Sequence, residues 1–109
     1  MKPMLRCALI LAAACLALAS LAVGTPDQPD GAALFKQKCS MCHGADGKGF
    51  AALKTPDFTD PKWQASKSDK EIASTIKNGK QGTMMQAFGS QLKDDEIDAL
   101  VKQIRAFKK

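Results

Sequence analysis

Cys39-Ser40-Met41-Cys42-His43 is the stretch that decides how this chain is read. Two cysteines three apart, followed at once by a histidine, form a run that can attach a c-type haem covalently. The thiols would add to the porphyrin vinyl groups as thioethers, and the adjacent imidazole would lie under the iron as its proximal ligand. Two rival chemistries also use such a pair. A tetrahedral zinc site needs four ligands, and outside the N-terminal segment the chain offers only Cys39, Cys42 and His43 of the usual kind. A thioredoxin-type redox pair needs a βαβ setting, and no strand alternation follows the N-terminal segment.

That segment reads as an export signal. Lys2 and Arg6 form a short basic head, Leu5 to Leu18 is almost wholly Ala, Leu, Ile and Cys, and small residues follow. Residues 1–22 are therefore expected to be a signal peptide, with cleavage after Ala22 or after Gly24. Two alternatives compete with a cleaved leader. Ala12-Ala13-Ala14-Cys15 resembles a lipobox, but the apolar run continues through Leu16, Leu18 and Leu21 where a lipoprotein turns polar. The stretch also nears the length of a membrane anchor, yet it carries good cleavage sites, so no stable membrane insertion is expected once it is removed. Cys7 and Cys15 leave with the leader. The remaining pair, Cys39 and Cys42, would close too small a loop to stabilise much as a disulfide.

The full chain of 109 residues carries a net charge of +5, and loss of Lys2 and Arg6 lowers that by two. So mild and scattered an excess argues against a nucleic-acid partner. Residues 23–30 form a polar lead-in punctuated by Pro26 and Pro29, and residues 31–109 are expected to be one small domain.

Within it the pattern is all-α. Asp30 can cap a helix over Gly31–Lys38 that runs into Cys39, with Leu34 and Phe35 inward and Gly44 as its stop. Residues 44–61 are rich in glycine and proline and read as a long irregular loop, which in so small a domain suits the wrapping of a flat cofactor. Ser68 and Glu71 make a capping box for a second helix with Ile72, Ala73 and Ile76 inward, ended at Asn78-Gly79. After a glycine-rich loop, a last helix from Asp94 or Asp95 to Phe107 carries Ile97, Leu100, Val101 and Ile104 at 3.6-residue spacing. This is a thin core, and a covalently tied macrocycle would staple it.

One haem c per chain leaves a sixth iron position to fill. His43 is the only histidine and tyrosine is absent, so a thioether is the natural partner. Met41 lies within the attachment run and cannot reach over the ring. Met84 and Met85 remain.

The run with its preceding helix, Cys42-His43-Gly44-Ala45-Asp46-Gly47-Lys48-Gly49, and the stretch Asn78-Gly79 through Met85-Gln86-Ala87-Phe88-Gly89 resemble a class I cytochrome c, of the small bacterial monohaem kind. The resemblance covers roughly Asp30 to Phe107. It implies the cytochrome c fold, with short helices and long loops around one covalent haem. An aromatic three residues after the ligand methionine points to Met85, with Met84 as fallback; Gln86 stands where that family has proline. It further implies that the Pro56 carbonyl accepts the Nδ1–H of His43 and that Trp63 donates its indole N–H to a haem propionate. Asp94 is expected to cap the last helix, because Lys93 replaces the usual serine. With Gln103 in place of an aromatic, the terminal-helix crossing is expected to rest on Gly31, Phe35, Leu100 and Ile104.

By that resemblance the chain is expected to be a periplasmic or otherwise exported one-electron carrier and not an enzyme. Its partners would be other redox proteins, an electron donor and an acceptor, met at a haem edge ringed by Lys36, Lys38, Lys48, Lys54, Lys77 and Lys80. The competing reading is a haem enzyme or small-ligand sensor with a displaceable methionine. No second histidine, acid or arginine cluster flanks Met84-Met85 to serve it.

Overall fold

The computed structural model describes residues 28–109, so the leader, its cleavage sites and Cys15 lie outside the described residues. Among these there are five helices and no strand: α1 Gly31–Lys38, α2 Ser40–His43, α3 Pro61–Ser66, α4 Asp69–Asn78 and α5 Asp94–Ala106. A 3-10 turn spans Ala51–Leu53. None of the described helices is long and apolar enough to cross a membrane.

Local chemistry sets each boundary. The Asp30 carboxylate accepts the Ala33 N–H at 3.1 Å and opens α1. The Ser68 hydroxyl accepts the Glu71 N–H at 3.0 Å and opens α4, which ends at Gly79. The first residue of α5 is Asp94, so the expected Asp94 cap is corrected: Lys93 occupies the cap. A lysine side chain has no acceptor to offer the helix amides. Instead the Glu96 carboxylate accepts the Lys93 N–H at 2.9 Å, and three acids in the first turn suit the positive end of the helix.

The terminal helices α1 and α5 cross at Gly31. A Cβ there would lie 2.9 Å from the Ala99 carbonyl carbon and closer still to its oxygen, so only glycine permits this approach. Phe35, Leu100 and Ile104 are buried in the core, as expected. The crossing does not rest on these four alone, however. Phe107, which caps α5, packs on Phe35 with ring centroids 4.9 Å apart and lies against Gly47. An aromatic four residues beyond Gln103 thus takes part in the crossing.

α3 was not legible as a helix. Asp60 caps it by accepting the Lys62 N–H at 2.9 Å, and Pro61 opens it with a preset φ. Its buried Gln64 donates to the carbonyls of Phe58 and Ile104 at 2.7 and 2.8 Å, tying the long loop to α5. Arg105 completes the tie: Nη1 donates to the Gln64 carbonyl and Oε1, and Nε to the Asp69 carboxylate at 2.7 Å.

Candidate haem-binding site

The attachment run is one tight helical turn grafted onto α1. The Cys39 N–H still bonds back to Phe35, and the Cys39 carbonyl then accepts from both Cys42 and His43, at 3.2 and 2.9 Å. Residues three and four apart share a helix face, so this turn sets Cys39, Cys42 and His43 side by side. Met41 projects elsewhere and is 87% exposed. Gly44, at φ 78°, stops the turn where a stop was expected. The two thiols are free of any disulfide. Burial, and secondarily the neighbouring Cys42, push the Cys39 thiol up to about 11.

His43 is held on its flank by aromatics. Its ring stacks on Phe58 at 4.9 Å with 20° between planes, and Phe35 lies 6.4 Å away. Trp63 packs on Phe58 in turn, with ring centroids 4.7 Å apart. The structure therefore gives Trp63 a packing contact. Sequence reasoning passed over Phe58; its signal was a lone large apolar residue within the polar run Asp57 to Lys62. Burial lowers the pKa of His43 and so favours the neutral imidazole that a metal requires.

The loop after the turn folds back on His43. The His43 carbonyl accepts the Gly49 N–H at 2.8 Å, and Gly49, at φ 72°, lets the 55–56 backbone come close. A Cβ on Gly49 would lie 2.5 Å from the Pro56 carbonyl oxygen and 2.7 Å from that of Thr55. Pro56 is thereby brought beside the loop of His43. The Nδ1 atom of His43 is buried and makes no hydrogen bond in this structure, so it is not paired with the Pro56 carbonyl here.

On the other candidate side, Met85 is partly buried and packs against the hydrophobic core, whereas Met84 is 84% exposed. Phe88 and Gly89 pin the following chain to the end of α4, bonding to Ile76 and Lys77 at 2.9 and 3.0 Å. The lysines expected to ring the haem edge are all exposed, and Lys77 also meets Asp94 at 3.4 Å. So exposed a pair adds little stability.

The donor set suits a covalently held haem: unpaired thiols on one helix face, an imidazole with an orphaned buried Nδ1, and a half-buried thioether. Comparison with known proteins agrees. The family described as cytochrome c oxidase, cbb3-type, subunit III, matches residues 26–104. The FixP subunit of the cbb3-type cytochrome c oxidase of Azorhizobium caulinodans is 38% identical over 76 residues, which is 70% of this chain and 26% of FixP. The chain thus spans about a quarter of the length of such curated relatives. Among solved structures, the KustC0563 c-type cytochrome superposes with a TM-score of 0.69 at 40% identity, covering 73% of this chain and 99% of that one. Cytochrome cL of Hyphomicrobium denitrificans gives a TM-score of 0.63 at 31% identity, over 75% of this chain and 48% of its own.

Proposed function

Since the chain belongs to the cytochrome c family, in the group described as cytochrome c oxidase, cbb3-type, subunit III, and is an all-α, haem c-bearing electron-transfer cytochrome, we propose that it is a periplasmic one-electron carrier between redox proteins. Bound haem c would supply a ferrous–ferric couple. Cys39 and Cys42 would anchor it covalently, and His43 and Met85 would hold its iron. Domain residues 31–109 act after removal of a leader at residues 1–22.

The observation that carries this reading is the helical turn of Cys39 to His43, which presents both thiols and the imidazole on one face. Each residue then has a task. Phe58 and Phe35 fix the plane of the imidazole. Pro56, brought close by Gly49, is the carbonyl that the Nδ1–H, unpaired in this structure, would take as acceptor once haem is held, which would set ring orientation and raise ligand basicity. Trp63 buttresses Phe58 and offers its indole N–H to a propionate. Met85 contributes a soft sulfur that favours the ferrous state and raises the potential. The exposed lysines give a donor or acceptor protein of opposite charge a docking field that salt would weaken.

Replacement of Cys39 and Cys42 together by serine tests the attachment. Denaturing gels stained for haem peroxidase activity should show haem on the wild-type chain and none on Cys39→Ser/Cys42→Ser. Covalent haem on the double variant sinks the reading.

A further inference from the structure

Met85 lies in a segment with no helix, followed by Gln86, which leaves the backbone φ free. Something else must hold it. The backbone from Gly79 to Met85 closes into a ring. Lys80 donates its N–H to the Met85 carbonyl at 3.1 Å, so the carbonyl is tied at the ring's mouth. The Thr83 hydroxyl does the rest from inside: it donates to the Lys80 carbonyl at 2.7 Å and accepts the Met85 N–H at 3.1 Å. Both backbone groups of Met85 are therefore engaged, one by Lys80 and one by a side chain that must donate and accept at once.

Gly79 forms the floor of this ring. Its φ is 74°, and a Cβ there would meet the Met85 carbonyl oxygen at 2.8 Å, the Ala87 nitrogen at 2.9 Å and the Gln86 carbonyl carbon at 3.0 Å. All three are backbone atoms, so no side-chain rotation could relieve the contact. Met84, next in the chain, is exposed and lacks Met85's contact with the core.

We propose that Thr83 and Gly79 are positioning residues for Met85, with the Thr83 hydroxyl as the staple and Gly79 as the seat of a preformed ring that keeps the thioether in place. The proposal rests on Met85 being the distal ligand. An external base can take the sixth iron position only when the methionine swings away, so its affinity reads how firmly the loop is closed. Losing two solvent-exposed hydrogen bonds, each of modest net strength, amounts to about a fivefold effect. A Cβ that strains φ and pushes backbone apart has a larger effect, above roughly tenfold.

The experiment is imidazole titration of the ferric holoprotein, followed by absorption, with urea unfolding measured alongside. A Met84→Ala background keeps the neighbouring thioether from substituting. Thr83→Val should bind imidazole about fivefold more tightly than its parent, Thr83→Ser should stay within about twofold of it, and Gly79→Ala should exceed tenfold. Equal affinity in Thr83→Val and its parent would overturn the proposal, as would a lowered urea midpoint with unchanged imidazole affinity. A methionine-to-ferric-iron charge-transfer band that survives in Met85→Ala would instead remove the ligand assignment, and this proposal with it.

Discussion

Gly49→Ala strikes the loop that brings Pro56 to the proximal side, and its size can be worked from the backbone. At φ 72° an alanine sits in the left-handed region, which strains an L-residue by about 1–2 kcal/mol. Its Cβ would also overlap the Pro56 and Thr55 carbonyl oxygens, at 2.5 and 2.7 Å, and the Thr55 hydroxyl at 2.7 Å. Forcing such contacts apart adds roughly 1–3 kcal/mol. Reduced freedom of the unfolded chain offsets about 0.4–1 kcal/mol. The net destabilisation is then about 1–4.5 kcal/mol. Gly82 supplies the control, because it has a similar φ of 79° with nothing within 4 Å of its added Cβ. Gly82→Ala should therefore lose only about 1.5 kcal/mol or less. Urea unfolding of the two holoproteins measures the difference directly. The reduction potential gives a second readout. In the holoprotein the Nδ1–H of His43 would take the Pro56 carbonyl as acceptor, and moving that carbonyl away would make the imidazole less basic, so Gly49→Ala should have a raised potential. Equal stability losses in the two variants would refute the steric argument, and an unmoved potential in Gly49→Ala would refute the role given to Pro56.

Other outcomes follow from the same contacts. Gly31→Ala should part α1 from α5 and destabilise by roughly 1–3 kcal/mol, despite alanine's better helix propensity, with a lowered urea midpoint as the readout. Arg105→Met should lose about 1–2 kcal/mol, because it strips Gln64 and Asp69 of a charged donor that is only partly solvent-screened. Asp57 gives a pH dependence. Hydrogen bonds from the Thr59 hydroxyl and amide hold its carboxyl below the usual range, so its stabilisation is complete above the ordinary carboxylate pKa of about 4. That increment is lost as pH falls through the lower folded value. The stability gap between wild type and Asp57→Ala should narrow over that acid window in unfolding measured at successive pH values.

What could be read from the chain follows from the range of the forces involved. α1, α4 and α5 were legible because their caps and apolar spacings are local: Asp30 before Gly31, Ser68 with Glu71, and Ile97 to Ile104. Gly44 was legible as a stop for the same reason. α3 is six residues long, too short for a 3.6 pattern to emerge, although Asp60-Pro61 was its cap in plain view. The roles of Phe58, Gln64, Arg105 and Phe107 depend on partners far along the chain, as far as Phe35 is from Phe107, and no local pattern encodes them. The Lys93 cap is not legible from the lysine side chain, because Glu96 supplies the hydrogen bond. At the site, the spacing of Cys39, Cys42 and His43 carried nearly everything about attachment. Residue types alone could not separate Met84 from Met85; the fold distinguishes them by burial, through contacts that no adjacent pair could advertise.

The most direct test of the central claim is the ferric absorption spectrum of three holoproteins, recorded through a redox titration: wild type, Met84→Ala and Met85→Ala. A one-electron carrier ligated by His43 and Met85 predicts a single n = 1 transition and a methionine-sulfur-to-iron charge-transfer band in wild type and Met84→Ala. In Met85→Ala the band should vanish and the potential should fall. A wild-type spectrum without that band, or a Met85→Ala spectrum that keeps it, would contradict the account.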